Sequence, residues 1–464
     1  MFADTIAAVS TSLGESAIGV VRLSGPDAPE IAAACFRHGR KLRARPAAAL
    51  TSHRVFYGAI VDADSSSVID EVLLVRMAPP RSYTREEVVE ISCHGGPAAV
   101  QQILALCLRL GARLATPGEF TLRAFANGRI DLAQAEAVAA IVSARTSSSL
   151  DLAVSELRGR MRQRLQPARD LLVETLAYLD AAADFPDDEI PPFDPRPALN
   201  AAQTVLDEVA QSGRAGRLYQ DGVRIALVGR PNVGKSSLLN ALLRFERAIV
   251  TPIAGTTRDV ISETISLRGI PATLLDTAGI GDSSDVIEQL GIDRSRQAAR
   301  ASALVVLVLD RSMALTADDA RVADLLRERR DSVGNDIIVV LNKSDLPDIA
   351  GQAARHLFPE APCVELSAVS GHGLSALEDA LYTAALGLAG EVAEPQLVTE
   401  RQLNAIQRAA AAVAAGRAAL DDGLPLDLVA VDVRDALMAV GEVTGENVSE
   451  AVLDEIFRRF CIGK

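Results

Sequence analysis

An α+β N-terminal domain, an all-α helical domain and an α/β P-loop domain inserted within the helical one make up the multidomain fold class that this sequence predicts. Length is the first reason, since 464 residues exceed what one core usually holds, about 100–200 residues per domain. Apolar periodicity is the second: short runs give way to long helical patterns, then to runs alternating with helices, then to long helices again. The third is local. Residues 229–237 read Gly-Arg-Pro-Asn-Val-Gly-Lys-Ser-Ser, a GxxxxGK[ST] loop between the apolar run Val223–Val228 and a helix-like stretch from Leu238.

In residues 1–118, apolar runs at 18–23, 72–77 and 88–92 alternate with helical stretches such as 98–110, the pattern of a compact α+β domain. Residues 119–216 read as the first part of the helical domain, because Leu132, Ala135, Ala139 and Val142 recur at 3,4,3 spacing and Leu172, Leu176 and Leu179 continue the stripe. An acidic, Pro-rich turn at 184–195 interrupts it. Residues 217–386 alternate apolar runs (223–228, 273–275, 303–309, 336–341, 362–366) with helical segments, as a doubly wound sheet does. The helical pattern returns in residues 387–464, where Leu403, Ile406, Ala410 and Val413 again lie 3,4,3 apart. Neither helical half looks self-sufficient, so the two are expected to pack together, with the nucleotide domain as an insertion.

Composition narrows the function classes. Net charge is −14, which disfavours sequence-independent wrapping of nucleic acid, although a local basic patch could still dock a folded RNA. Arg158, Arg160, Arg162 and Arg164 are the best candidates for one, but at helical pitch they split between two faces, as a solvated helix surface would. No apolar run nears the roughly 18 residues needed to cross a bilayer, and the first residues lack a signal-peptide pattern, so a cytoplasmic protein without membrane attachment is expected. Five scattered cysteines form no CxxC pair and have no His partners at zinc spacing, which argues against disulfide and zinc frameworks.

The loop at 229–237 needs glycine where the backbone curls so that successive N–H groups face anionic phosphates, with the next helix aiming its positive end at them. Asn232, Val233, Gly234, Lys235, Ser236 and Ser237 form its working part; Lys235 offers a charge to the β and γ phosphates and the Ser236 hydroxyl suits Mg²⁺. Asn342-Lys343-Ser344-Asp345 follows a predicted strand, where Asp345 can accept two hydrogen bonds from the N1–H and amino group of guanine, a pattern adenine does not supply. Ser367-Ala368 follows the next strand and can reach the guanine carbonyl oxygen. Asp276-Thr277-Ala278-Gly279 ends another, with Asp276 held to Mg²⁺ through water and the Gly279 N–H near the γ phosphate. Thr251-Pro252-Ile253-Ala254-Gly255-Thr256-Thr257 supplies a switch segment, with Thr257 as second Mg²⁺ ligand. The nucleotide is therefore GTP. Ile280 occupies the position where Ras-like GTPases carry a water-orienting Gln, so another group must do that work. The side-chain oxygen of Asn232 suits either a monovalent cation at the phosphates or a hydrogen bond that stabilises the loop, and residue type alone does not choose between them.

Over its whole length the chain resembles the MnmE (TrmE) family of bacterial tRNA-modifying GTPases. The likeness rests on Ile18-Gly19-Val20-Val21-Arg22-Leu23-Ser24-Gly25, His94-Gly95-Gly96-Pro97, Pro117-Gly118-Glu119-Phe120, Asp131-Leu132-Ala133-Gln134-Ala135-Glu136, Asp184-Phe185-Pro186-Asp187 and Cys461-Ile462-Gly463-Lys464. It implies a homodimer whose N-terminal domains bind a one-carbon tetrahydrofolate derivative, with Arg22, Glu90, Arg129 and Lys464 at that site. It implies K⁺ held by Asn232, Thr251, Ile253 and Thr256, and Glu288 orienting the attacking water. It implies further that Cys461 lies at the modification centre, where the residue alone could equally be a helix-end cysteine packed by Ile456 and Phe460.

The reaction implied is modification of the wobble uridine of certain tRNAs at carbon five, giving an aminomethyl or carboxymethylaminomethyl group. The flavoprotein MnmG, carrying FAD, would join it in a heterotetramer-like complex. The competing reading is a regulatory GTPase switch in ribosome assembly or RNA binding, without modification chemistry. Two positions depart from the family pattern: Arg85 where Gly is usual, and Gly281 where some members carry Arg.

Overall fold

The computed structural model describes residues 2–184, 193–245, 262–276, 302–333, 336–388 and 394–463. The chain divides into two compact units, Met1–Ala139 with Gly441–Lys464, and Ala140–Val440.

The first unit is built on a mixed sheet of eight strands in the order β4-β3-β5-β6-β7-β2-β1-β8. These are β1 (Ile6–Val9), β2 (Ser16–Ser24), β3 (Phe36–His38), β4 (Arg43–Ala44), β5 (Val55–Asp62), β6 (Ser67–Met77), β7 (Val88–Gly95) and β8 (Arg113–Leu114). Alternation along β2 and β7 sends Val21, Leu23, Val89 and Ile91 to the buried side. There they pack with Ile31 of α1 (Ala28–Cys35) and Ile103 of α2 (Pro97–Arg109). The opposite side carries Arg22 directly across from Glu90. Helix α3 (Glu119–Ala126) follows, and Leu132, Ala135, Phe457 and Phe460 form a separate small core, so the last residues of the chain complete this unit.

A buried charge network fixes α3. The Arg123 side chain is fully buried and pairs with Glu119 at 3.0 Å, Glu86 at 3.3 Å and Asp4 at 2.8 Å, while Arg113 also pairs with Glu119 and Asp4. Burial alone would raise the pKa of Glu119, but Arg113, the Thr116 N–H and Arg123 more than offset it and hold the carboxyl below its usual range. Asp4 is depressed for the same reasons.

The second unit contains the helices α5 (Ser147–Leu157), α6 (Arg160–Asp184), α7 (Arg196–Asp221) and α12 (Glu400–Asp421); α4 (Leu132–Ser143) precedes them in sequence. Thr146 and Thr399 start α5 and α12 with capping boxes that satisfy two end N–H groups each. Of the arginines at 158–164, Arg160 pairs with Glu394 and Arg164 donates to Ser212 and Gln396, whereas Arg158 and Arg162 are exposed, so the four do not form one patch.

Within the same unit lies a six-stranded sheet, order β10-β11-β9-β12-β13-β14. Its strands are β9 (Val223–Val228), β10 (Ser262–Leu267), β11 (Ile270–Asp276), β12 (Leu304–Asp310), β13 (Asp336–Asn342) and β14 (Cys363–Glu365). All pairs are parallel except β10 with β11. Helices α8 (Lys235–Phe245) and α11 (Leu374–Gly387) cover one face, α9 (Ala317–Val333) and α10 (Gly351–Arg355) the other, as the two core clusters on either side of β12 require. The final helices of the chain are α13 (Leu426–Thr444) and α14 (Glu450–Arg458). Among the described residues no helix is long and apolar enough to cross a membrane.

The depressed pKa of Glu119 has a stability consequence. A carboxyl whose folded pKa lies below its unfolded value stabilises the fold above the unfolded pKa, about 4.3, and loses that contribution as pH falls through the folded value. The opening of α3 seen by hydrogen exchange, corrected for the intrinsic rate, should therefore become more frequent as pH falls below about 4.3, and Glu119→Gln should weaken that pH dependence.

Candidate functional site

Strand β9 lies in the middle of the six-stranded sheet, so the loop after it opens at the carboxyl end where doubly wound folds bind ligands. Within this loop Gly234 has φ +98°, and a Cβ there would fall 2.2 Å from Asn342 Nδ2, so only glycine fits. Val233 is buried in the core. Lys235, 6% exposed, opens α8 and donates to the carbonyls of Gly229 at 2.7 Å and Arg230 at 2.9 Å. A buried ammonium at a helix N-terminus, beside a backbone curled by glycine, has the chemistry of a polyphosphate cradle. Ser236 and Ser237 are exposed at its rim.

Asn342, at the end of β13, joins two parts of the site. Its Nδ2 donates to the Val233 carbonyl at 2.8 Å and its Oδ1 accepts from the Ala368 N–H at 3.1 Å, which ties the phosphate loop to the Ser367-Ala368 loop. The Ser344 N–H donates to the Leu366 carbonyl at 3.0 Å. Lys343 pairs with Asp310 at 2.6 Å; burial raises the Asp310 pKa, but Lys343 and Ser312 overcome that and the carboxyl ends below its usual range. Asp345 is exposed and has no partner among the described residues, leaving its carboxylate open to a base. Asn232 has φ +63°, a left-handed conformation that Asn tolerates, and its exposed side chain makes no hydrogen bond among the described residues. The backbone thus gives Asn232 a conformational role, and the amide remains open to a ligand.

Asp276 ends β11 opposite Leu227 of β9, beside the strand that leads into the phosphate loop. Thr251, Pro252, Ile253, Ala254, Gly255, Thr256, Thr257, Thr277, Ala278, Gly279, Ile280, Gly281, Glu288 and Lys464 lie outside the described residues.

A second cluster lies on the first unit. Arg22 pairs with Glu90 at 2.8 Å and donates to the Gly463 carbonyl at 3.3 Å, which also accepts from Ser10 Oγ at 3.1 Å. Gly463 has φ +93°, and a Cβ there would meet the Val9 carbonyl oxygen at 2.1 Å. Arg129 donates to the Tyr83 carbonyl at 2.9 Å. The structure therefore brings Arg22, Glu90 and Arg129 of the expected folate set together with the end of the chain. Cys461 is exposed, so it is not a packed helix-end residue; its carbonyl accepts from the Gly118 N–H at 3.4 Å. Arg85 has φ +59°, the left-handed region that glycine adopts freely, so the turn keeps a glycine-like backbone despite the substitution.

Comparison with known proteins identifies the family. The family model for the GTP-binding protein TrmE N-terminus matches residues 5–129, and that for the MnmE helical domain matches residues 132–461. The chain belongs to the MnmE family of tRNA modification GTPases. An MnmE protein of Roseiflexus sp. (strain RS-1) is 47% identical over 100% of both chains. That of Chloroflexus aurantiacus is 46% identical over 99% of this chain and 100% of its own, and that of Alkaliphilus oremlandii 40% identical over 99% of each. Among solved structures, the G domain of the T. maritima FeoB iron transporter is 26% identical, covering 36% of this chain and 99% of its own, at a TM-score of 0.26. As an MnmE protein the chain is a GTP hydrolase, and GTP with Mg²⁺ is what its cradle binds.

Sequence reasoning missed Tyr83, Asp310 and Gly463 as members of these clusters. Gly463 and Tyr83 carried a signal, since they stand in the terminal motif and in the family segment around Arg85; Asp310 carried none, because its partner is remote in sequence.

Replacing Asn342 by Ala removes both hydrogen bonds that join the loops and should cost about 2 kcal/mol in stability. Titration with a fluorescent GTP analogue should show at least about tenfold weaker binding, while the melting of the first unit stays unchanged.

Proposed function

We propose that this chain is a potassium-activated GTPase that, with a flavoprotein partner carrying FAD, modifies the wobble uridine of certain tRNAs at carbon five. A one-carbon tetrahydrofolate supplies the carbon unit for a carboxymethylaminomethyl or aminomethyl group. The observation that carries this reading is the contact of Arg22 with both Glu90 and the Gly463 carbonyl. It sets the Cys461-containing tail beside the cationic cluster within one compact unit, so an exposed thiol and the candidate folate residues share a neighbourhood. The curated relatives, named tRNA modification GTPases, support the choice of RNA substrate.

The donor set fits a folate. Glu90 is a carboxylate able to pair with the donor edge of a pterin, Arg22 and Arg129 are planar cations suited to carboxylates, and Lys464 would add a third cation. In the nucleotide site Lys235 binds the β and γ phosphates, Ser236 and Thr257 hold Mg²⁺, Asp276 acts through water, and Asp345 selects guanine. Ile280 has no hydrogen-bonding group, so Glu288 orients water in place of the usual Gln. Asn232, with Thr251, Ile253 and Thr256, is the oxygen set for K⁺, which when bound neutralises charge developing between the β and γ phosphates. An amide side chain with no partner among the described residues is what supports Asn232 in that role. Hydrolysis drives two nucleotide domains of a homodimer apart or together and does not itself make the carbon bond. The setting is the cytoplasm, where tRNA and folate occur.

Two measurements test the reading. GTP hydrolysis should be at least about tenfold faster in K⁺ than in Na⁺ at equal ionic strength, and equal rates would remove the cation from the mechanism. Mass spectrometry of tRNA nucleosides from cells carrying Cys461→Ser should show loss of the carbon-five modification with GTPase rate retained. Unchanged nucleosides in that strain would take the thiol out of the reaction, and unchanged nucleosides in a deletion strain would leave a regulatory GTPase.

A further inference from the structure

Tyr83 stands between β6 and β7, and its ring is the common neighbour of two guanidinium groups. Arg22 Cζ lies 5.5 Å from the ring centroid and Arg129 Cζ 4.7 Å from it, both within cation–π range. The Tyr83 carbonyl also accepts from Arg129 at 2.9 Å, and its hydroxyl is 2.9 Å from Thr121 Oγ1 on α3, which fixes the far end of the ring. Around it the turn is pinned by Asn127 Nδ2 on the Thr84 carbonyl at 2.7 Å and by Ser24 on Glu86 at 2.7 Å.

The charges do not balance. Glu90 pairs with Arg22, whereas Arg129 is exposed and has no carboxylate partner among the described residues. A long Arg side chain held in one place by a ring and a carbonyl, with no carboxylate against it among the described residues, is prepared for an anion.

We propose that Tyr83 is a positioning residue that holds the Arg22 and Arg129 guanidinium groups in register, and that Arg129 receives the carboxylate of the ligand's glutamate tail. The inference rests on the folate reading above and deepens it by assigning which end of the ligand each group takes. Glu90, tied to Arg22, faces the pterin; Arg129, free of any carboxylate here, faces the tail. The ring lowers the entropy lost when the two cations are fixed, so its removal weakens binding without touching the ligand directly.

Equilibrium binding to the full-length protein of 5-formyltetrahydrofolate, and of the corresponding tetrahydropteroate that lacks the glutamate, tests this. Tyr83→Leu should bind the folate at least about tenfold more weakly and Tyr83→Phe within about threefold of the wild type, since Phe keeps the ring. Arg129→Lys, which keeps the charge and loses the planar fork, should also weaken the folate. For the tetrahydropteroate the wild type and Arg129→Lys should bind alike, while Tyr83→Leu, which also loosens Arg22, should lose less than it loses for the folate. Far-UV circular dichroism of the ligand-free protein should be the same in all variants, which reports that they are folded. Wild-type affinity in Tyr83→Leu alongside weakened Arg129→Lys would overturn the role of Tyr83 and leave the folate site standing. Equal losses for both ligands would overturn the assignment of Arg129 to the tail. Failure of the wild type to bind either ligand would overturn the folate reading itself.

Discussion

The Arg22 guanidinium ties the second strand of the chain to its end, 441 residues away in sequence, through the Gly463 carbonyl. That closure sets the organisation of everything between. With the first 139 residues and the last 24 in one compact unit, residues 140–440 leave it and come back, which is the topology of an insertion. A further constraint acts on the same spot: Gly463 fits against the Val9 carbonyl only with a left-handed backbone and no Cβ. Terminal motif and second strand are thus two halves of one contact.

The two sites use fixed cations in opposite ways. At the nucleotide loop Lys235 is buried and donates to two backbone carbonyls. At the first unit Arg22 and Arg129 lie nearer the surface and are oriented by an aromatic ring and a carboxylate. A compact ammonium suits the dense charge of a polyphosphate, and planar guanidinium groups suit carboxylates, so the choice of residue at each place follows the shape of the anion.

Much of the nucleotide domain was legible because its chemistry is local. The strands at 223–228, 304–310 and 336–342 coincide with apolar runs, and each functional loop follows its strand within a few residues. The clamp made by Asn342 was not legible, because Val233 and Ala368 are brought to it by the sheet. Arg22 and Glu90 were recognisable only through the family likeness, since their pairing depends on the register of β2 against β7. The contacts of Tyr83 and the burial of Arg123 were invisible for the same reason. An arginine at 123 reads as a surface residue in a helix, and only the convergence of Asp4, Glu86 and Glu119 on it explains why it is fully buried. Arg85 teaches the converse, because a side chain that glycine lacks is carried there on a backbone in the left-handed region.

The distance in sequence between the two parts of the first unit also has a meaning in time. During synthesis residues 1–139 emerge well before their partners at 441–463, separated by the roughly 300 residues of the second unit. At about 5–20 residues per second the wait is on the order of 15–60 seconds. Through that interval the cluster that will take Phe457 and Phe460 is incomplete, and Arg22 lacks its contact with the Gly463 carbonyl. The last seam of the molecule to close is therefore the one at the Arg22 cluster, and a newborn chain reaches that state only after its GTPase portion has been made.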